Sequence, residues 1–185
     1  MTGQPPLRIR PIAEQDWDGI VALESRAYTP LGLSEERTVL KSRADASPGT
    51  CFVLDAGGRL AGYVLALPYP PFHHPDLRRP QTTVPPSRNL HLHDLVIAPG
   101  LRRAGLARHL LRHLTLTARE NGYRRMSLIA VGGSDTYWAR HGFTAHPGPA
   151  PDGYGADAVP MSRALPPARG GGAHQRGSHP HDEKS

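Results

Sequence analysis

The sequence predicts one α+β domain with a mixed, mostly antiparallel central sheet and helices on its faces. Two apolar, β-prone runs at residues 50–55 and 60–67 are separated by Ala56-Gly57-Gly58, a pattern typical of an antiparallel hairpin. Residues 91–119 change from alternating apolar residues to apolar residues three and four positions apart, which indicates a strand followed by an amphipathic helix. A further apolar strand at 126–131 completes a strand–helix–strand unit, whose two strands run parallel.

Two short helices are expected before the hairpin, after a first strand at residues 7–10. Residues 14–28 place apolar side chains at helical spacing behind an acidic first turn, and Pro30 ends this helix. Ser34 is the expected N-cap of a second helix, which reaches about residue 44. We expect the two helices to frame one side of a cleft.

The connection at residues 68–89 is long and rich in proline, with Tyr69 and Phe72 among its aromatic residues. A loop of this length in a compact domain is usually functional or disordered. Two interpretations stay open, a substrate lid and a mobile surface excursion. Beyond the parallel strands, residues 134–140 predict a short helix, and a last strand is expected near residues 156–163.

Length and composition fit one domain over residues 1–165 with a polar tail. Residues 166–185 contain almost no large apolar side chain, so we expect them to be disordered. No long apolar run and no signal peptide occur, which predicts a cytoplasmic protein without a membrane partner. Cys51 is the only cysteine; it permits neither an intrachain disulfide nor a cysteine-based metal cluster, and we expect it to be buried.

The chain is basic, with 22 Lys and Arg against 16 Asp and Glu and a formal net charge of +6. Such a charge suits nucleic acid, but it equally suits a polyphosphate ligand. Most arginines are scattered singly, aromatic residues make up only 6%, and no nucleic-acid-binding motif occurs. We therefore expect no nucleic-acid partner, although a basic nucleic-acid-binding module remains the third functional alternative.

Arg102, Gly105 and Ala107 stand at the junction of the predicted strand and helix, in the spacing R-x-x-G-x-A. The start of a helix leaves several backbone N–H groups unpaired at the positive end of the helix dipole, which favours a diphosphate. The small residues let a ligand approach the backbone, and Arg103 and Arg108 add positive charge. The alternative is an ordinary turn in which Gly105 only relieves crowding.

The order of these elements, together with Leu95-Val96-Ile97, the R-x-x-G-x-A turn and the ending from Trp138 to Phe143, resembles the GNAT superfamily of N-acetyltransferases. The resemblance spans roughly residues 7–165. It implies a GNAT fold whose parallel strands splay apart, acetyl-CoA as co-substrate, and no metal. By this resemblance, the following residues bind the pantetheine arm and the diphosphate: Val96, Ile97, Arg102, Arg103, Ala104, Gly105, Leu106, Ala107 and Arg108.

The strand before the turn begins His91-Leu92-His93-Asp94, which is similar to the corresponding strand of arylalkylamine N-acetyltransferases. The period of a strand places His91 and His93 on one face and Asp94 on the other. An amine is mostly protonated at neutral pH, and a histidine is suited to accept its proton. We assign His91 and His93 this shared role; packing residues are the alternative for both. Asp94 is either a base or a structural residue. Because it is predicted on the face opposite to the two histidines, the structural role is favoured.

One position departs from the family pattern. Relatives carry a tyrosine four residues before the Gly of the terminal Gly-Phe, where it protonates the departing CoA thiolate, and here this position is Trp138. Tyr137 lies one residue earlier, about 100° around the helix. Three interpretations stay open: Tyr137 is the acid, the thiolate leaves without one, or both residues only pack.

The sequence thus predicts acetyl transfer from acetyl-CoA to a primary amine, by direct attack in a ternary complex. The aromatic and proline-rich loop favours an aryl- or alkylamine over an aminoglycoside as the small-molecule acceptor. A protein or peptide amine, an antibiotic or a metabolite is the alternative among acceptors. A GNAT-like protein that binds acyl-CoA without catalysis is the alternative in another class. Dimers are common in the superfamily, and we keep a homodimer as a partner hypothesis.

Overall fold

The computed structural model describes residues 6–102 and 104–168, which form one seven-stranded sheet flanked by four α-helices. The predicted tail lies outside the described residues except for 166–168. The strands are β1 (Leu7–Pro11), β2 (Phe52–Ala56), β3 (Arg59–Pro68), β4 (Asn89–Ile97), β5 (Arg125–Ala130), β6 (Thr144–Ala145) and β7 (Val159–Ala164). The helices are α1 (Trp17–Tyr28), α2 (Arg37–Ala46), α3 (Leu106–Glu120) and α4 (Asp135–Arg140).

The strand order is β1-β2-β3-β4-β5-β7-β6. The first four strands are antiparallel neighbours, as expected of consecutive strands joined by turns. The connection from β4 to β5 passes through α3, and these two strands are parallel. Strand β7 is antiparallel to both β5 and β6. The structure therefore confirms the predicted α+β class and its mixed, mostly antiparallel sheet.

Two hydrophobic cores lie on opposite faces of the sheet. Helix α3 is amphipathic and buries Leu110, Leu111 and Leu114 against one face, where each contributes about 1.5–3 kcal/mol. Helices α1 and α2 bury Trp17 and Leu40 on the other face. Cys51 belongs to this second core and is 1% exposed, as predicted.

Strands β4 and β5 part after a short paired segment. Their register runs from Asn89 opposite Arg125 to His91 opposite Ser127 and stops there, although β4 continues to Ile97. Over the rest of β4, no strand in the described part of the chain pairs with the edge that faces β5. This is the splayed parallel pair that the resemblance implied.

A β-bulge interrupts β4 on its other edge. Leu65 of β3 pairs with Asp94 and Ala66 pairs with Leu92, so His93 is an extra residue without a partner on β3. Such a bulge shifts the alternation of side chains by one position. The residues before and after it therefore do not keep a simple period of two.

Helix α2 begins later than the sequence predicted. Ser34 is not its N-cap, because its hydroxyl donates instead to Glu24 Oε2 at 2.7 Å, and the helix starts at Arg37. The Glu35 N–H donates to the other carboxylate oxygen of Glu24 at 2.8 Å, which holds the connection between α1 and α2 in place. The last strand, β7, likewise starts at Val159, after a turn in which the Ala158 N–H donates to the Gly155 carbonyl.

None of the helices that the structure describes is long and apolar enough to cross a lipid bilayer.

Candidate active site

A cleft of about 410 Å³ opens where β4 and β5 part; we call it the splay cleft. Its walls include Leu92 to Ile97 of β4 except Asp94, and Leu128 and Ile129 of β5. Val96 and Ile97 are each only 5% exposed because their side chains enter the two cores on opposite faces. At these positions it is the free backbone edge of β4, rather than the side chains, that a ligand in the cleft would meet.

The predicted phosphate turn lies at the same end of β4. Gly105 is the N-cap of α3, and its φ of +71° is a left-handed conformation that favours glycine. The first N–H groups of α3, from Leu106 to Arg108, have no acceptor within the helix by its geometry. Arg102 lines the splay cleft and donates to the Ile97 carbonyl at 3.4 Å. These features fit a diphosphate; the predicted Arg103 lies outside the described residues.

The bulge brings His93 and Asp94 to the same face of the sheet, which corrects the opposite facing that the sequence predicted. Leu92 and Leu95 pack into the core under α3, whereas Asp94 accepts a hydrogen bond from Tyr63 in the core under α1 and α2. His93 also points to the α1 and α2 face, where it meets Glu35. The simple period of two fails because His93 is the inserted residue.

A buried chain of charged groups ends at His93. Glu35 Oε1 accepts hydrogen bonds from Arg43 Nε at 2.9 Å and from Arg43 Nη2, and Glu35 Oε2 lies 2.5 Å from His93 Nε2. All three side chains are at most 3% exposed. An ionised carboxylate only accepts, so the His93 Nε2 carries the proton and donates to Glu35.

The other ring nitrogen of His93 is free to accept a proton. Its Nδ1 is buried and has no hydrogen-bond partner among the described residues. Burial opposes ionisation of Glu35, but the nearby His93 and Arg43 outweigh it and lower the Glu35 pKa. Glu35 therefore stays ionised near neutral pH, and the lone pair of His93 is on the buried Nδ1 of a side chain that borders the splay cleft.

Asp94 is held differently. Burial raises the pKa of Asp94, and its carboxylate accepts a hydrogen bond from the Tyr63 hydroxyl at 3.0 Å. One ligand atom each from Glu35, His93 and Asp94 lies within 4.8 Å of the others, close enough for these groups to hold one cation. The Arg43 guanidinium already pairs with Glu35 at this place, and its charge would repel a metal ion.

His91 lies near His93, with ring centroids 6.1 Å apart, but its surroundings differ. Its Nδ1 is 3.3 Å from Ser127 Oγ. Burial, with a further contribution from His93, lowers the pKa of His91 well below its ordinary value, so its ring is neutral near pH 7. The structure thus brings the two histidines together and gives only His93 a carboxylate partner.

Tyr137 and Trp138 both line the splay cleft. The Trp138 ring is mostly buried and packs edge-on against Phe143, with ring centroids 5.5 Å apart. Tyr137 is partly buried, and burial raises its pKa, so its hydroxyl is a proton donor near neutral pH. Tyr28 lines the same cleft; burial, followed by the charge of Asp94, raises its pKa well above the ordinary value.

Sequence reasoning missed Glu35, Arg43 and Tyr28. Glu35 looked like an acidic residue of the first turn of α2, and it instead precedes the helix and turns inward. Its partner Arg43 lies eight residues later and fully buried, which no local pattern indicates for an arginine. Tyr28 ends α1 and reaches the cleft only through the packing of α1 against β4.

A second cavity, of about 370 Å³, adjoins the splay cleft at Leu128 and Ile129; we call it the histidine cavity. The long loop before β4 forms one of its walls with Phe72, whose ring lies 4.6 Å from that of His146. This loop is attached to the domain, since Pro75 and Asp76 carbonyls accept hydrogen bonds from Tyr154 and Arg43. These contacts favour a pocket wall over a free surface excursion.

Comparison with known proteins agrees with this geometry. The sequence profile described as "Acetyltransferase (GNAT) family" matches residues 17–143. No curated protein sequence matches the chain.

Three solved structures share the fold at low sequence identity. Ard1 from Thermoplasma volcanium is 16% identical with a TM-score of 0.70, over 86% of this chain and 97% of that chain. The ribosomal-protein-S18-alanine N-acetyltransferase from Escherichia coli is 17% identical with a TM-score of 0.61, over 88% and 96%. N-acetylglutamate synthase from Neisseria gonorrhoeae, complexed with coenzyme A and N-acetyl-glutamate, is 19% identical with a TM-score of 0.66, over 88% and 36%.

The matched segment begins at α1 and ends at the Gly-Phe pair after α4, so it contains the splayed strands, the Gly105 turn and the buried His93. With more than half of its length matched and these features in place, the chain belongs to the GNAT family of acetyltransferases.

Proposed function

We propose that this protein transfers an acetyl group from acetyl-CoA to a primary amine, by direct attack in a ternary complex. One observation carries the proposal: His93 lines the splay cleft with a buried Nδ1 that has no partner in the described residues, while Glu35 holds its Nε2. A carboxylate–histidine pair at a cleft wall suits removal of a proton from an ammonium group.

Acetyl-CoA fits the splay cleft as the co-substrate. Its pantetheine arm would pair with the free backbone edge of β4 at Val96 and Ile97. Its diphosphate would lie at the turn from Arg102 to Arg108, against the first N–H groups of α3. The side chains of Arg102 and Arg108 are exposed there and would add charge to the phosphate site.

The reaction then needs a base and an acid. His93 Nδ1 would take a proton from the substrate ammonium, directly or through a water, and Glu35 would stabilise the resulting imidazolium. The free amine nitrogen attacks the thioester carbonyl, a C–N bond forms, and the C–S bond breaks. We assign the base to His93 and leave His91 as its neutral neighbour, because the pKa of His91 is lowered by burial.

Tyr137 is the proposed donor to the departing CoA thiolate. Its hydroxyl stays protonated near neutral pH, and the residue lines the splay cleft. Trp138 also lines the cleft, but its side chain has no acidic proton to donate. We expect Tyr137→Phe to lower kcat by roughly tenfold to a hundredfold with little change in KM. The matched control is Tyr123→Phe, which changes a partly buried tyrosine in the connection between α3 and β5 that does not line the cleft. If Tyr137→Phe turns over like the control, Tyr28 becomes the candidate acid.

A small amine suits the histidine cavity. Its volume of about 370 Å³ is within the usual range for small ligands, and the loop at Phe72 closes one side of it. The resemblance of His91-x-His93 to the corresponding strand of arylalkylamine N-acetyltransferases is the basis for proposing an aryl- or alkylamine acceptor. A peptide amine is the alternative acceptor.

The direct test is CoA release from acetyl-CoA over a panel of aryl-, alkyl- and peptide amines. We expect release that depends on one class of amine, with the acetylated amine formed in equal amount. Trp138, in place of the usual tyrosine, favours a second candidate, an acyl-CoA-binding protein without catalysis. Protection against thermal unfolding by acetyl-CoA, with no release for any amine, would support that candidate instead.

A further inference from the structure

The floor of the histidine cavity carries an arginine that the proposed reaction does not use. Arg125, Ser127 and Ile129 alternate along β5 on the cavity side. Met126 and Leu128 pack into the core under α3, and Leu128 also borders the cavity. Arg125 is partly buried at the start of this strand. The strand geometry therefore supports an Arg125 side chain that faces the cavity.

The Arg125 guanidinium makes no hydrogen bond or ion pair with any residue that the structure describes. Two other buried or partly buried arginines, Arg10 and Arg43, pair with carboxylates, whereas Arg119 and Arg163 donate only to uncharged oxygens of the described residues. Asp152, which is exposed, supplies the one carboxylate among the described residues of the cavity lining. The Arg125 guanidinium is therefore available to an anionic group of a ligand in the cavity.

The rest of the lining offers further hydrogen-bonding nitrogens. Four histidines surround the cavity, namely His73, His74, His91 and His146. His74 Nδ1 is buried and has no hydrogen-bond partner in the described residues. Arginine and histidine N–H groups together recognise carboxylate or phosphate oxygens.

The cavity also fixes where such an anion would lie relative to the reaction. Ile129 borders both the histidine cavity and the splay cleft, whereas Arg125 lies four residues before it on β5. Four residues of a strand span about 13 Å. A ligand with its amine near Ile129 and an anion near Arg125 must be elongated, so an α-amino acid is too short.

From these observations we infer that the acceptor is an elongated amine with a carboxylate or phosphate at the end remote from the amino group. This inference rests on the proposed function and names its substrate class. The ammonium end loses one proton to His93 and, after attack on the thioester, a second proton as it becomes the acetamide. One of these two protons leaves on the CoA thiol and the other passes to solvent, while the anionic end stays unchanged at Arg125. A neutral amine would cover the Arg125 guanidinium without pairing with it, and this disfavours binding of the neutral amine.

The test compares ε-aminocaproate and aminohexyl phosphate with hexylamine and glycine in the CoA-release assay. We expect kcat/KM for at least one anionic amine to exceed that for hexylamine and for glycine by about tenfold or more. The better of the two anionic amines identifies the anion as carboxylate or phosphate. In Arg125→Gln, the ratio of kcat/KM for the anionic amine to kcat/KM for the neutral amine should fall towards one. Arg124→Gln, which changes the exposed neighbour, should keep the wild-type ratio.

Equal or better turnover of hexylamine would overturn the inference, as would a ratio that persists in Arg125→Gln. If no amine releases CoA, the proposed function fails, and calorimetric binding of ε-aminocaproate and aminohexyl phosphate to the CoA-loaded protein still decides the anion site. Binding that Arg125→Gln abolishes supports the site, and no binding of either to wild type contradicts it.

Discussion

At His93 the chemistry depends on which ring nitrogen carries the proton. Glu35 holds the Nε2 proton at 2.5 Å, so the lone pair is on the buried Nδ1 of a side chain that borders the splay cleft. Arg43 in turn holds Glu35 through two hydrogen bonds, and both side chains are buried. The proposed base is therefore oriented by Glu35, from the segment between α1 and α2, and by Arg43 of α2, not by its own strand alone.

Replacing Glu35 by glutamine keeps the shape of this side chain and removes its charge. We expect the acid limb of kcat/KM to move to lower pH, because the imidazolium loses its adjacent anion. The substitution also leaves Arg43 buried without its counterion, which should lower the free energy of unfolding by about 3–5 kcal/mol. The measurements are a pH–rate profile and a denaturant titration.

Glu36→Gln is the matched control for Glu35→Gln, since Glu36 is the exposed neighbour and its carboxylate forms no ion pair in the described residues. It should change stability by less than about 0.5 kcal/mol. A Glu35→Gln variant with the pH profile and stability of this control would remove Glu35 from the account.

Sequence alone predicted some of these residues and not others, for a physical reason. His93 and Gly105 belong to local patterns, a strand with a histidine pair and a turn that needs a left-handed residue. Glu35 meets His93 across 58 residues of chain, and Arg43 joins them only through Glu35; tertiary packing decides that both turn inward. Tyr28 reaches the cleft for the same reason.

Among the elements, β4 combines two roles through two irregularities. Its separation from β5 frees one backbone edge, and its bulge at His93 brings His93 and Asp94 to one face. The apolar pattern predicted the strand and its parallel partner, but a period of two cannot reveal an inserted residue. For this reason the predicted facing of Asp94 was wrong while the strand itself was confirmed.

The turn after β4 can be tested by Gly105→Ala. A Cβ at Gly105 would meet nothing within 4 Å, so the cost comes from its φ of +71° alone, about 1–2 kcal/mol. If the turn relaxes on substitution, its N–H groups move away from the diphosphate, and KM for acetyl-CoA should rise roughly fivefold to thirtyfold. Steady-state kinetics with varied acetyl-CoA provide the measurement.

Gly100→Ala is the control for Gly105→Ala. Its Cβ would also meet nothing within 4 Å, and its φ is not positive. We expect an unchanged KM for acetyl-CoA in this variant. Equal values in the two variants would argue against a phosphate site at the Gly105 turn.

In the molecule as a whole, one sheet supports both cavities, and its first edge strand is tied to the helices by a charged contact. Asp16 accepts hydrogen bonds from Arg10 Nη1 at 2.7 Å, Arg10 Nη2 at 2.8 Å and the Ala13 N–H at 2.7 Å. Arg10 also donates to Asp55 of β2 at 3.3 Å. This contact joins β1, the start of α1 and β2 at a distance from the site.

Asp16→Asn should therefore destabilise the fold by roughly 1–2 kcal/mol at pH 7 without changing kcat. The hydrogen bonds from Arg10 are the main cause of the lowered Asp16 pKa. Because the pKa is lowered in the folded state, the ionised carboxylate stabilises the fold above about pH 4. This stabilisation is lost as the pH falls through the folded-state pKa. The deficit of the variant should shrink in acid, as thermal unfolding at several pH values would measure.

The control for Asp16→Asn is Asp18→Asn, which removes a carboxylate that is 89% exposed in the first turn of α1. It should stay within about 0.5 kcal/mol of wild type. A deficit in Asp16→Asn that is no larger than in the control, or that does not depend on pH, would contradict the assigned role of this contact.

The central claim is that a single strand positions both the acyl donor and the base. The pH dependence of kcat/KM for the accepted amine in His93→Gln and His91→Gln tests it most directly. We predict that His93→Gln loses the acid limb and about 10²–10⁴ in kcat/KM, whereas His91→Gln keeps the limb because its ring is already neutral. A His93→Gln enzyme with the wild-type rate and acid limb would contradict the account.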